Sequence, residues 1–164
     1  MKVIDGGKVA ALKATAAAAL RLRTHANLHD DLSDPVQRVV IALEPGTYVR
    51  PHRHNEGVWE LFALLDGALA VLVFDVDGIV RERVELRPGG NRLVQLPPDT
   101  WHSLVALESG TLALEVKPGP YVPSTDKNFA AWAPAEGEAG AAGMVRWYEG
   151  AAVGAGPPAR RPSG

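Results

Sequence analysis

The chain has 164 residues, of which 46% are hydrophobic, and it carries a net charge of −2. This length and composition predict one globular domain and exclude a fibrous or wholly disordered chain. With this charge and no long basic run, nucleic acid is not an expected partner. Because the sequence contains no cysteine, disulfides, thiolate catalysis and cysteine-ligated metal sites are excluded, and any metal must be held by His, Asp or Glu.

Residues 1–34 are predicted to form an N-terminal helix and a linker. Alanine dominates residues 5 to about 22, where apolar side chains recur at helical spacing and Asp5 can cap the start. Lys8 and Lys13 interrupt the alanine-rich run, so it does not have the character of a signal peptide. No segment is long and apolar enough to cross a membrane. We therefore expect a soluble, cytoplasmic protein without a membrane partner.

Residues 35–118 are predicted to form a barrel of short strands. Turn residues separate the apolar segments, and Asp77-Gly78 is a strong hairpin signal. The connections are too short for crossover helices, which indicates an all-β sandwich or small barrel of seven or eight strands. The segments are VQRVVIAL, VWELFALL, ALAVLVFDV, IVRERVEL, RLVQL, WHSLVAL and TLALEV.

The composition changes after the last of these strands. Residues 119–149 are rich in Pro, Gly and Ala but contain Tyr121, Phe129 and Trp132. These aromatic residues predict a cover packed on the barrel, ending in a last ordered turn or strand. Residues 150–164 are predicted to be a disordered tail.

Three histidines and one glutamate form the candidate metal site. His52 and His54 are two positions apart in a strand-like segment, so they are expected to share a face. Glu60 lies in an apolar strand, where a carboxylate is costly unless it is paired or bound to a metal. His102 follows a tight turn at the start of another strand. Surface histidines are the alternative, but together the four residues suit one divalent ion: Zn, Fe, Mn, Ni or Co.

The spacing of these residues resembles the first cupin motif, Gly-x5-His-x-His-x(3,4)-Glu-x6-Gly. The corresponding residues are Gly46, His52, His54, Glu60 and Gly67, with five residues between His54 and Glu60. The resemblance implies a cupin barrel, that is, a double-stranded β-helix or jelly roll, behind a short N-terminal helix.

The segment LPPDTWH resembles the second cupin motif, Pro-x-Gly-x2-His-x3-Asn. It provides Pro97 and His102, with Asp99 in place of the glycine and Ala106 in place of the asparagine. The long gap in the first motif leaves Glu56 as the alternative carboxylate.

Three longer segments carry a more specific pattern: NLHDDLSDPVQRVVIALEPGTYVRPHRH, WELFALLDG and EVKPGPYVPSTDKNFAAWAPAEG. Together they are similar to the WbuC family of cupin-fold metalloproteins, found among bacterial surface-polysaccharide (O-antigen) genes, and the similarity spans roughly residues 1–148. It implies one bound divalent metal but no known reaction. Because cupins commonly dimerise, a homodimer is expected.

Strand parity adds two candidate catalytic residues. On a regular strand Tyr48 and Arg50 share the face of His52. Arg50 could bind a substrate carboxylate or phosphate, or pair with a protein carboxylate. Tyr48 could serve as an acid or hydrogen-bond donor, or pack at the rim.

Other candidates lie outside the barrel strands. The similarity of the segment NLH to the WbuC family implies that Asn27 contacts substrate and that His29 is a catalytic pocket residue. Composition alone predicts that His29 is an ordinary surface histidine. Lys117 and Tyr121 start the cover and are predicted to contact substrate, with Lys127 as a further contact.

These residues predict a metal-dependent enzyme with a small polar substrate, anionic if Arg50 binds it. A metal with open positions can polarise a carbonyl or hydroxyl, which favours isomerisation or epimerisation of a sugar, nucleotide-sugar or keto/hydroxy acid. The alternatives are an Fe(II) dioxygenase, a non-catalytic binding or sensing module, and a purely structural metal. No nucleotide-binding glycine motif occurs, so the metal is the expected cofactor.

Overall fold

The computed structural model of the chain describes residues 1–54 and 56–159. Its regular elements are two α-helices, one short 3-10 helix and eight strands. In chain order they are α1 (Gly6–Ala18), β1 (Arg23–Asn27), β2 (Val36–Leu43), β3 (Glu60–Asp66), β4 (Leu69–Phe74), β5 (Val80–Leu86), β6 (Leu93–Leu96), β7 (Trp101–Ala106), β8 (Thr111–Pro118), the 3-10 helix Asp126–Asn128 and α2 (Ala141–Gly150).

The strands form two antiparallel sheets. One has the order β1-β2-β8-β3-β6 and the other β5-β4-β7. Between them lies a core of aliphatic and aromatic side chains, because alternate residues of each strand point inward. This core includes Leu43, Phe62, Leu64, Leu69, Val71 and Leu104. The predicted all-β jelly-roll barrel with a short N-terminal helix is confirmed.

The N-terminal region contains a strand as well as the helix. The helix ends at Ala18, and Ala16 packs with Val40 and Leu112 on the outer face of the larger sheet. The segment predicted as a linker includes β1, which pairs with β2 from Arg23↔Leu43 onward. As an edge strand β1 is mostly polar and lacks the apolar alternation by which the other strands are recognised. Within the described residues, no helix is long and apolar enough to span a membrane.

The C-terminal region packs on the smaller sheet. The segment predicted as a turn or strand is the helix α2, whose Met144, Val145 and Tyr148 cover β4. Beyond it, Val80 N–H donates to Ala155 O at 3.0 Å, and Ala151 is buried. This part of the predicted disordered tail is therefore ordered against β5. Residues 160–164 of that prediction lie outside the described residues.

The segment that carries the first two histidines is not a regular strand. Its pairing with β7 is an isolated bridge at His52↔His102, and Pro51, which has no N–H, precedes it. Before the proline, Val49 packs in the core between the sheets, whereas Tyr48 packs in the cluster under α2. The prediction that Tyr48 shares the face of His52 is therefore wrong.

Candidate metal centre

His52, His54, Glu60 and His102, here called the four-residue cluster, meet at one end of the barrel. Each offers one ligand atom, and these atoms lie within 4.8 Å of one another. Metal ions bind imidazole nitrogen and carboxylate oxygen at about 2.0–2.2 Å, so opposite donors of one ion lie roughly 4 Å apart. The spacing of the cluster fits a single metal ion.

Two pairs of backbone hydrogen bonds hold the segment of His52 in place. His52 N–H donates to His102 O at 3.0 Å, and His102 N–H donates to His52 O at 2.9 Å. On the other side, Arg53 N–H donates to Asn128 O, and Ala130 N–H donates to Pro51 O, both at 2.9 Å. The segment thus lies between β7 and the C-terminal cover, which fixes the direction of its side chains.

The hydrogen bonds of the ring nitrogens identify which atoms face the centre of the cluster. His52 Nδ1 donates to Arg50 O at 3.0 Å, and His102 Nδ1 donates to Thr100 O at 2.9 Å. A carbonyl oxygen accepts but cannot donate, so in the neutral rings the Nε2 atoms carry the lone pairs. In His102 this lone pair points towards the carboxylate of Glu60.

One carboxylate oxygen faces two imidazole nitrogens. Glu60 Oε2 lies 2.9 Å from His102 Nε2 and 3.1 Å from His54 Nε2. All three atoms are buried, and within the described part of the chain none of them forms a hydrogen bond with good geometry. Acceptors this close repel one another unless a cation or a proton lies between them. Protons would satisfy both contacts only if His102 were a buried imidazolium and His54 carried its proton on Nε2, whereas one metal ion satisfies both. The donor set therefore fits a divalent cation.

Burial and neighbouring charges control protonation in the cluster. Burial and the adjacent His102 lower the pKa of His52 to about 3, which keeps that ring neutral. Burial opposes the charge of His102, but its interaction with Glu60 outweighs burial and raises the His102 pKa. Burial also opposes the charge of Glu60, yet the two histidines and Lys117 hold its pKa well below the usual range. Glu60 is thus an anion and His52 a neutral donor.

The structure distinguishes between the two candidate carboxylates. Glu60 is the first residue of β3 and is 2% exposed, on the same face as Phe62 and Leu64. Glu56 is exposed in the preceding turn, where Gly57 has a φ of +82°. The turn takes up the extra residue of the first motif, so Glu60 keeps its position beside the histidines.

The departure at the second motif also has a structural explanation. Asp99 stands where the motif has glycine, and its φ is +59°. This left-handed conformation favours glycine, but aspartate is among the residues that tolerate it. The turn before His102 therefore keeps its shape.

Lys117 lies beside the cluster and is already paired. Its Nζ is 3.1 Å from Glu60 Oε1 and 2.7 Å from Glu115 Oε1. Burial opposes the charge of Lys117, but the two carboxylates outweigh it and raise the Lys117 pKa. Burial, together with the charge of Glu60, raises the pKa of Glu115 to about 7. Sequence reasoning missed Glu115, although its spacing from Lys117 on β8 puts the two on one face.

A small cavity opens next to the cluster. Its volume is about 70 Å³, and it lies between β2, β8 and the proline-rich start of the cover. The predicted ligand His54 and the predicted substrate residues Lys117 and Tyr121 line it, with Gln37, Ser124 and Asn128 adding polar groups. The structure thus brings three of the predicted residues to one cavity.

Tyr48 and Arg50 are bound to the C-terminal cover instead. Tyr48 is 6% exposed, and its hydroxyl donates to Pro134 O at 2.8 Å. Arg50 lies over the Phe129 ring at 5.2 Å and donates to Ala130 O at 3.2 Å. In the described part of the chain Arg50 forms no ion pair, so of its two predicted alternatives the salt bridge to a protein carboxylate is not found. The predicted catalytic position of Tyr48 is wrong, because the strand is interrupted at Pro51.

Among the described residues, three further candidates belong neither to the cluster nor to the lining of the cavity: His29, Asn27 and Lys127. His29 is buried, but its Nδ1 contacts the backbone of Arg38 on β2 at 3.1 Å. Asn27 is exposed at the end of β1. Lys127 is also exposed, in the 3-10 helix. The predicted catalytic position of His29 and the substrate contact of Asn27 are not found in this arrangement.

Comparison with known proteins agrees with the fold. Rru_A2000 from Rhodospirillum rubrum, a cupin-2 domain, has 16% identity and a TM-score of 0.51, over 78% of this chain and 80% of that one. An HTH_3 family transcriptional regulator from Vibrio cholerae has 18% identity and a TM-score of 0.50, over 68% and 60%. KdgF from Halomonas sp. has 20% identity and a TM-score of 0.48, over 61% and 82%. At these identities the first two matches support the fold alone.

The fold and the cluster together define the class: a cupin-fold barrel with a three-histidine, one-glutamate cluster that can hold a metal. The profile of the family described as "Domain of unknown function (DUF6016)" matches residues 4–86, which is half of the chain. The chain belongs to this family. The matched region contains His52, His54 and Glu60 but ends before His102. No curated protein is significantly similar in sequence.

Proposed function

We propose that this protein is a metal-dependent cupin that binds one divalent ion through His52, His54, Glu60 and His102. The observation that carries the proposal is the buried Glu60 Oε2, which lies 2.9 Å and 3.1 Å from two imidazole nitrogens. Zn, Fe, Mn, Ni and Co all suit three imidazoles and one carboxylate. The resemblance to the WbuC family also supports the binding of one divalent metal ion.

We propose that the ion and the adjacent cavity serve a small polar substrate. When bound, the metal supplies a Lewis acid for a carbonyl or hydroxyl group. His54 and Tyr121 both line the cavity, so a ligand there would lie next to a residue of the cluster. Its volume, about 70 Å³, favours a keto or hydroxy acid or one end of a sugar over the whole of a nucleotide-sugar. We propose isomerisation or epimerisation, with surface-polysaccharide synthesis in the cytoplasm as the setting and a homodimer as the assembly.

Two other functions remain candidates on the same site. With Fe(II) and O₂ the donor set suits a dioxygenase. A non-catalytic binding or sensing module would use the same cavity without proton transfer. All three functions require the four-residue cluster, but they differ in what happens to the ligand.

Deuterium exchange separates these functions. Metal-loaded protein is incubated in D₂O with small hydroxy acids, keto acids and sugars, and proton NMR follows the carbon-bound hydrogens. An isomerase or epimerase exchanges the hydrogen next to the carbonyl or hydroxyl, and the Glu60→Gln variant does not. Oxygen uptake by the iron-loaded protein without exchange would support the dioxygenase. Saturable binding without either reaction would support the sensing module and contradict the enzyme.

A further inference from the structure

We infer that Lys117 is a positioning residue that restricts Glu60 to a single metal-ligating oxygen. This inference rests on the proposed metal site. It gives Lys117 a different role from the substrate contact predicted from the sequence, because its ammonium group is engaged by protein carboxylates.

The two oxygens of Glu60 have separate partners. Oε2 faces His54 Nε2 and His102 Nε2 at 3.1 Å and 2.9 Å, whereas Oε1 lies 3.1 Å from Lys117 Nζ. A carboxylate can bind a metal through one oxygen or through both. With Oε1 held by an ammonium group, Oε2 is the oxygen left for the ion, and the site keeps one more position for a ligand.

Glu115 holds Lys117 in this position. Its Oε1 accepts from Lys117 Nζ at 2.7 Å, and its side chain is 13% exposed. Glu115 and Lys117 are two residues apart on β8, whose neighbour β3 carries Glu60. The lysine side chain is 18% exposed. Glu60 is fixed on β3 and Glu115 on β8, so the ammonium group of Lys117 is held by one carboxylate from each strand.

The open position created in this way would face the cavity. Lys117 and His54 both line that cavity, and Glu60 lies between them as the partner of each. A carboxylate bound through both oxygens would occupy a position that a substrate could otherwise take. Lys117 therefore keeps the ion accessible without itself binding the substrate.

The test is the visible absorption spectrum of the Co(II)-loaded protein. The intensity of the ligand-field bands falls as the number of ligands rises, so the spectrum reports how Glu60 binds. In Lys117→Met, Glu60 is expected to bind through both oxygens, and the bands should weaken and shift. Lys117→Arg retains the charge and should stay near wild type. Lys13→Met is the matched control, because Lys13 pairs with Asp66, the last residue of β3, at the opposite end of that strand from Glu60.

The outcomes are distinguishable from failure of the metal site. A Lys117→Met spectrum superimposable on that of the wild type would overturn the positioning role while leaving the metal site intact. A wild-type protein that binds no Co(II) would overturn both proposals. Lys117→Leu provides the same measurement if Lys117→Met does not fold. Metal affinity is not the deciding readout, because Lys117→Met changes it in two opposite directions. Removing a positive charge near a divalent cation raises the affinity, whereas losing the fixed orientation of Glu60 lowers it.

Discussion

His52 and His102 exchange both of their backbone hydrogen bonds, at 3.0 Å and 2.9 Å, and their rings lie 4.4 Å apart. Two candidate ligands from distant parts of the chain are therefore paired through the backbone, independently of any ion. Such a site is preformed, so metal binding does not have to order the chain, and less of the binding free energy is lost. Substitutions of single side chains should consequently affect metal binding more than folding.

His54→Ala should abolish tight metal binding while leaving the fold intact. His54 is the more exposed of the two histidines that face Glu60 Oε2, with a side chain 16% exposed. Even changes to the partners of metal ligands cost about 10–100-fold in affinity, so loss of a ligand should cost more than about 100-fold. The measurement is competition with a chromophoric zinc chelator. His25→Ala is the control, because His25 is exposed on β1, and equal affinities of the two variants would contradict the assignment.

Glu60→Gln should also release the metal, and Glu56→Gln should not. The amide keeps the shape of Glu60 but removes the negative charge that faces His54 and His102. It also leaves Lys117 with Glu115 as its one remaining carboxylate partner in the described structure. Zinc bound per chain after dialysis measures the effect, and Glu60→Gln is expected to retain less than about one tenth of the wild-type affinity. Metal loss in Glu56→Gln instead would identify Glu56 as the ligand.

Tyr48→Phe should destabilise the fold and change its response to alkaline pH. The lost hydrogen bond to Pro134 O is expected to cost about 1–3 kcal/mol, since the carbonyl is left unpaired. Burial raises the pKa of Tyr48 to about 12, above its ordinary value of 10.0. A raised pKa means that its contribution to stability is complete below pH 10 and is lost as pH rises towards 12. Urea unfolding at pH 8 and 11 should show a smaller alkaline loss in the variant; equal losses would contradict the buried hydroxyl.

Gly67→Ala should be far more damaging than Gly57→Ala. Both glycines have positive φ, +74° and +82°, so each alanine incurs backbone strain of about 1–3 kcal/mol. At Gly67 the added Cβ would lie 2.6 Å from Thr111 Oγ1 and 2.8 Å from Thr111 Cα, whereas nothing lies within 4 Å at Gly57. Thermal melting should rank Gly67→Ala well below Gly57→Ala. Similar melting temperatures would mean that the turn at Gly67 can rearrange.

The barrel was predictable from the sequence because turn residues separate its apolar segments, and strands such as β3 alternate between buried and less buried residues. VQRVVIAL coincides with β2, and the other six predicted strands match β3 to β8 with small differences at their ends. The same alternation failed for the segment around Tyr48, where Pro51 interrupts the pairing and reverses which residues face the core. The alternation of residues along a sequence cannot reveal such an interruption, because it assumes an unbroken β-strand.

The candidate metal site was predictable as a set of residue types, but its surroundings were not. His52, His54, Glu60 and His102 could be selected because their residue types suit metal ligation and their spacing resembles the cupin motifs. The pairing of β8 with β3, which brings Lys117 and Glu115 to Glu60, depends on a contact between distant segments. Likewise, the backbone bridge between Phe129 and His52 depends on how the C-terminal cover folds back onto the barrel.

The central claim is that the four-residue cluster binds one metal ion, and metal content tests it most directly. The wild type and the double variant His52→Ala/His54→Ala are purified, reconstituted with each of Zn, Fe, Mn, Ni and Co, and dialysed. Inductively coupled plasma mass spectrometry then gives the ions bound per chain. We predict close to one ion in the wild type and almost none in the double variant. A wild type that retains no ion, or a double variant that retains as much, would contradict the account.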